Sequence, residues 1–325
     1  MDTIDIRLIL GRPLDEQKIK YIKENIKWIS KLGYKENKCS FVISFPKFFY
    51  PINNAYLVET QREVDMVLHD VIRIFENYHI QEAYTKRIDY PFTFNMPEGR
   101  TFNSYFELFR LVGIIKKANP AGNSKYYGSI VRDEKETVIF TNTTNTNNFS
   151  KRVMIYNQAI KIKESKASSY EDTINKFPNL ERRMRIEIAF KEEVNILDGK
   201  SLRLDLGKIK RKYASYLANG IFNKRSIDEG IKIQIENLNR CLEEKYPGNI
   251  KWKNLMMNKI IDPGQVISSD IFNAAIKKTN LSERGKQSSR KALRDTASET
   301  EMVYENIGKD LNEIMMAILE QSRKI

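Results

Sequence analysis

Arg183-Met184-Arg185-Ile186-Glu187-Ile188 and Lys86-Arg87-Ile88-Asp89-Tyr90 alternate charged with apolar residues, and Val153-Met154-Ile155-Tyr156 lies between them in the chain. Side chains of a strand point alternately to its two faces, so Arg87 and Asp89 share one face of their strand, as do Arg185 and Glu187 of theirs, and the intervening apolar residues point to a core. If these strands are neighbours in one sheet, two carboxylates and two guanidinium groups meet on a surface that Tyr156, at the end of a third strand, reaches. That set of groups suits metal-assisted phosphodiester chemistry.

Outward from these strands, the chain reads as a mixture of strands and helices up to about residue 190. Ile4–Leu10 alternates as a strand. Leu14–Leu32 carries helical spacing through Ile19, Ile22, Ile26 and Ile29, with Gly33 as its stop. Cys39–Phe49 reads as a strand that Pro46 confines to an edge or a short piece. Val64–His79 and Phe102–Ala118 are amphipathic helices, the second stopped by Asn119-Pro120-Ala121-Gly122. Tyr126–Ile130 and Glu136–Thr141 look like a hairpin, followed by an exposed Thr/Asn loop to Asn148. The expected fold is α+β: a mainly antiparallel sheet with helices packed on one face, over residues 1–198. An all-helical, basic domain is expected over residues 199–325, with helices at Leu206–Leu217, Ile227–Lys245, Trp252–Ile260, Ser269–Lys278 and Ser288–Ser322, and without strands.

The 325 residues carry a formal net charge of +13. It is uneven: residues 1–150 hold 21 Lys and Arg against 18 Asp and Glu, while residues 151–325 hold 34 against 24. A basic excess with 16 tyrosines points to a polyanionic partner, nucleic acid first. An AT-rich coding sequence, which inflates Lys, Asn and Ile, is the plain alternative. The densest basic cluster is Lys208, Lys210, Arg211 and Lys212, read either as a DNA-backbone track or as a solvated helix face. Ser269–Lys278, a turn and a basic helix would make a DNA-reading unit, although ordinary helical packing gives the same pattern.

Other classes find no support in the sequence. Met1–Arg7 is charged from its second residue and no long apolar run occurs, so a soluble, cytoplasmic protein without a membrane anchor is expected. Cys39 and Cys241 are far apart and without CxxC spacing, which suggests neither a disulfide framework nor a zinc site. No Gly-rich phosphate loop, serine elbow or Cys-His pairing appears. His69 and His79 form no His-apolar-His motif.

The order Arg-Ile-Asp (87–89), Tyr-Tyr-Gly-Ser (126–129), Arg-Val-Met-Ile-Tyr (152–156) and Arg-Ile-Glu (185–187) resembles rolling-circle replication initiators of the filamentous-phage gene II protein type and related Gram-positive plasmid initiators. The resemblance covers about residues 3–195. It implies that Tyr156 attacks the DNA backbone at a replication origin and that Asp89 and Glu187 hold Mg²⁺ or Mn²⁺. Arg87, Arg185 and Arg152 would hold the phosphate, and Tyr127 is a candidate to stack on an unpaired base. A host helicase and polymerase would be the further partners. The family motif, apolar-apolar-Tyr-x-Lys-x-x-Glu, has Gln158 here for its Lys and Lys161 for its Glu. These departures leave open a non-catalytic DNA-binding replication or regulatory protein on the same fold. An RNA-binding or scaffolding protein is a third class, which explains the charge but not the ordered motifs.

Overall fold

The computed structural model describes residues 1–118, 137–141, 149–164, 170–245, 267–299, 303–304 and 307–324. The first strand is β1 (Thr3–Leu10), with Ile4, Ile6, Leu8 and Leu10 buried in strict alternation. Asp15 caps α1 (Glu16–Asn25) by accepting the Lys18 N–H at 2.7 Å. This helix stops well before the expected Leu32. The chain turns at Ile26 and runs back as β2 (Ile29–Lys35), pairing with β3 (Lys38–Ser44) so that Ile29 sits opposite Ile43. Gly33 is thus a strand residue and ends no helix. Pro46 does not make β3 an edge strand either: it lies in the first turn of α2 (Phe45–Phe49), where a missing N–H is harmless. β3 lies between β2 and β1.

A capping box at Thr60 and Glu63 opens α3 (Gln61–Phe75). Then follow β4 (Ile80–Asn95), α4 (Phe102–Ala118), β5 (Thr137–Thr141), β6 (Lys151–Asn157), α5 (Gln158–Glu164), α6 (Tyr170–Lys176) and β7 (Arg183–Phe190). Short strands β8 (Val194–Asn195), β9 (Leu197–Asp198) and β10 (Ser201–Leu202) lead to α7 (Leu206–Tyr216), a single π-helical turn at Leu217–Ile221, and α8 (Lys224–Lys245). Beyond these lie β11 (Ile267–Ser268), α9 (Ser269–Lys278), α10 (Glu283–Glu299), β12 (Val303–Tyr304) and α11 (Ile307–Arg323). The segment expected as one helix from Ser288 to Ser322 is therefore two. Strands do occur in this half, because β11 and β12 pair in parallel over two residues each, too short to leave an alternation in the sequence. The expected strand at Tyr126–Ile130, most of the Thr/Asn loop and the helix at Trp252–Ile260 lie outside the described residues.

The fold is α+β. Eight strands form one sheet in the order β2-β3-β1-β4-β7-β6-β5, with β8 beside β4. The pairings of β1 through β4 and β6 through β8 are antiparallel. One sheet face is apolar and covered by helices. Phe75 of α3 stacks on Phe41 of β3 at 5.3 Å, and Tyr213 of α7 packs on Phe190 at 4.3 Å while its hydroxyl donates to Ile88 O. The opposite face of β1, β4, β7 and β6 carries the charged residues.

Contacts divide the chain into two compact units, residues 1–97, 141–215 and 317–325 in one and residues 98–140 and 216–316 in the other. A single break at residue 198 does not describe them, since each unit is built from separate stretches of chain. In the second unit α8 crosses α4 closely at Gly230, where a Cβ would come within 2.5 Å of the Ile115 side chain. No described helix is long and apolar enough to cross a membrane.

Candidate active site

Strand register brings the expected residues together. Asp89 lies opposite Thr3 of β1 and Ala189 of β7, and Ala189 lies opposite Arg152 of β6. Two residues along β7, Glu187 is paired with Met154, and two further on Arg185 is paired with Tyr156. Directly opposed residues point to the same face, so Arg87, Asp89, Arg152, Tyr156, Arg185 and Glu187 occupy one contiguous patch of the sheet. Ala189 is the small residue between Asp89 and Arg152. A register shift in β4 falls directly before Arg87, the kind of irregularity that re-aims side chains near a site.

The patch is buried: Asp89 is 2 % exposed, Arg185 1 % and Glu187 7 %. A solvated cross-strand ion pair, the ordinary reading of such alternation, is therefore not what these residues make. Asp89 Oδ2 accepts from Thr3 Oγ1 at 2.6 Å and from Arg87 at 2.8 Å, while its Oδ1 is buried without a hydrogen bond. Burial raises the Asp89 pKa against the pull of Arg87. Arg185 pairs with Asp2 at 3.0 Å, in a geometry too oblique for a hydrogen bond, and donates to Asn54 O at 3.1 Å. Burial opposes its charge, but Asp2 and the groups around it hold the guanidinium above its ordinary range. Arg152 lies over the Phe149 ring at 4.4 Å, its pKa lowered by burial and supported by Glu187 and Asp89.

The Tyr156 hydroxyl donates to Glu187 Oε2 at 2.9 Å. Burial pushes the phenol pKa well above its usual value, with Arg185 opposing and Glu187 adding to the shift. Glu187 is pushed up to about 8, first by burial and then by the neighbouring Asp2 and Asp89 carboxylates. Tyr156 and Arg185 also line a cleft of about 290 Å³ whose walls include Lys47, Asn54, Gln158 and Lys161. Gln158 is buried and tied into this wall, donating to Asn54 O at 2.5 Å. Gln158 and Lys161 thus flank the tyrosine.

Asp89 and Glu187 are hard oxygen donors on adjacent strands, and the unpartnered Asp89 Oδ1 has lone pairs to give. This suits Mg²⁺ or Mn²⁺, which commonly take one or two carboxylates and keep waters or phosphate oxygens for the rest. No group of three or more His, Cys, Asp or Glu placed to hold a metal ion occurs among the described residues.

The basic cluster on α7 is not uniform. Lys208 and Arg211 are exposed, but Lys210 is 2 % exposed and its ammonium donates to Glu59 O at 2.8 Å and Lys324 O at 2.7 Å. Lys210 is therefore a fold-holding residue and no part of a DNA track, because helix periodicity turns it inward between its exposed neighbours. Lys212 pairs with Glu192. Tyr127 lies outside the described residues. Asp2, Asn54 and Lys47 are the residues that sequence reasoning missed. Asp2 precedes the alternating run of β1 and looks like a solvated terminus, and Lys47 and Asn54 belong to segments without periodicity.

No family model matches the chain, and the comparisons with curated proteins and with solved structures likewise give no match.

Proposed function

We propose that this protein is a rolling-circle replication initiator that nicks one DNA strand at an origin through Tyr156. The reading is carried by one observation: the Tyr156 hydroxyl donates to Glu187 at 2.9 Å on the wall of a cleft that Lys47 and Lys161 make cationic. A phenol is a weak nucleophile at neutral pH and needs a base beside it. The Glu187 carboxylate takes the phenolic proton as Tyr156 Oη attacks the backbone phosphorus. The bond from phosphorus to the 3′ oxygen breaks, and that oxygen leaves as a hydroxyl after taking a proton. A 5′-phosphotyrosyl link and a 3′-hydroxyl primer result. Lys47 and Lys161 neutralise the non-bridging oxygens, while Arg185 and Arg87 hold Asp2 and Asp89 in place. Asp89 and Glu187 would hold Mg²⁺ or Mn²⁺, which supplies charge neutralisation at the scissile phosphate.

A second reading, a DNA-binding replication or regulatory protein that does not cut, is favoured by the inward commitment of Arg87 to Asp89 and of Arg185 to Asp2 and Asn54. Phosphate-binding roles for these two guanidinium groups compete with those partners. Incubation with supercoiled DNA of the element encoding the protein, with Mg²⁺ or Mn²⁺, separates the readings. Relaxed circles that appear with wild type and not with Tyr156→Phe support nicking. Tight binding without relaxed circles supports the second reading.

A further inference from the structure

We propose that residues 269–299 are a helix-turn-helix that seats α10 in the major groove of duplex DNA, a contact separate from the strand-cutting site and not dependent on it. The first helix, α9, buries Ile271, Phe272, Ala275 and Ile276. It is anchored to α8, where the Asn239 amide donates to Ala275 O at 3.3 Å and Glu243 accepts the Asn280 N–H at 3.2 Å. The connection Thr279–Ser282 is the short turn such units use. Thr279 is buried, its hydroxyl donating to Ile276 O at 2.7 Å, and Ser282 Oγ accepts the Gly285 N–H at 3.2 Å to cap α10. The angle of entry into α10 is thus set by bonds at both ends of the turn.

On α10, Gly285 and Ser289 form the inward side, with Ser289 buried and bonded to Gly285 O at 2.9 Å. Arg284, Gln287, Ser288, Lys291 and Arg294 are exposed and recur at helical spacing, forming one outward stripe. Between Glu283 and Arg294 five cations stand against one carboxylate. No described side chain on this stripe is apolar, so the face offers nothing to a partner helix or a lipid surface and a great deal to a polyanion. Its residue types are also those that read base edges: Arg pairs bidentately with guanine and Gln with adenine. In a helix-turn-helix the N-terminal residues of the second helix reach the bases. Arg284 and Gln287 therefore read bases, and Lys291 and Arg294, further along, meet phosphates.

The test uses the full chain carrying Tyr156→Phe, so that cleavage plays no part, in a binding selection from random 20-base-pair duplexes. Enrichment of a short duplex motif is expected. Arg284→Ala or Gln287→Ala then relaxes the preference at one position, weakening the selected duplex on the order of 10-fold. Arg294→Ala weakens selected and scrambled duplexes alike and lowers the salt slope by about 1. All these side chains are exposed, and circular-dichroism melting checks that each variant is folded. Absence of enrichment, preference for single strands, or a motif bound unchanged by Arg284→Ala and Gln287→Ala together would overturn the proposal.

Discussion

Glu187 is the residue on which the proposed chemistry and the stability of the site meet. Its pKa, raised to about 8 by burial and by Asp2 and Asp89, means that the folded protein keeps a proton that the unfolded chain releases near the ordinary glutamate value. The stability gained from that proton is complete below the unfolded pKa and is lost as pH rises through 8. Glu187→Gln keeps an acceptor for the tyrosine but has no proton to lose. We expect it to abolish nicking while melting above wild type at pH 9, the advantage reaching about 5 kcal/mol there, falling to about 2 kcal/mol at pH 6 and vanishing only below about pH 4.5; melting curves across that range measure it. Arg185→Met should act in the reverse direction, unfolding in urea with a loss of about 3–5 kcal/mol, because Asp2 is left as an uncompensated buried charge. Adding Asp2→Asn should recover most of the loss. That Arg87 shares a face with Asp89, and Arg185 with Glu187, was legible from alternation; that the two strands are neighbours comes from the pairing of β4 with β7. The burial of these four residues was not legible, nor was the partnership of Arg185 with Asp2, since alternation says which side a residue takes but not what covers that side.

Elements whose periodicity spans many residues are legible in the sequence, while those in which one residue type serves two structures are not. α3 and α4 carry long helical periodicity and appear close to their expected bounds. Ile26 and Ile29 fit both a helix and a strand, and tertiary pairing of Ile29 with Ile43 decides for the strand. Pro46 likewise fits an edge strand or a helix start, and the helix start holds. The crossing of α8 over α4 rests on Gly230, where an added methyl would meet Ile115 Cγ2 at 2.5 Å and Ile115 O at 2.7 Å. Gly230→Ala gains helix propensity yet should destabilise by about 1–3 kcal/mol, as an overpacked contact does. A lower urea midpoint without a change of slope is the expected result. Nothing in the sequence marks this glycine, because the close approach comes from two helices distant in the chain.

For the whole molecule, a net charge of +13 is what the proposed DNA partner requires, but composition does not say which cations would face it. Lys208→Ala and Arg211→Ala should each lower the salt slope of DNA binding by about 1. Lys210→Ala should leave the slope unchanged and lower stability instead, since its ammonium serves Glu59 O and Lys324 O. Titrations at several salt concentrations separate these outcomes. The division into two units was hidden for a similar reason: each unit gathers stretches that lie far apart in the sequence. The account's central claim is that Tyr156 becomes joined to DNA, and it is tested most directly by mapping the covalent product. Protein incubated with supercoiled DNA of its own element and Mg²⁺ is digested with nuclease and trypsin, and the nucleotide-bearing peptide is identified by mass spectrometry. We predict a nucleotide on the peptide of residues 153–161, attached at Tyr156. A nucleotide on another tyrosine, or nicked DNA without any protein adduct, would contradict the account.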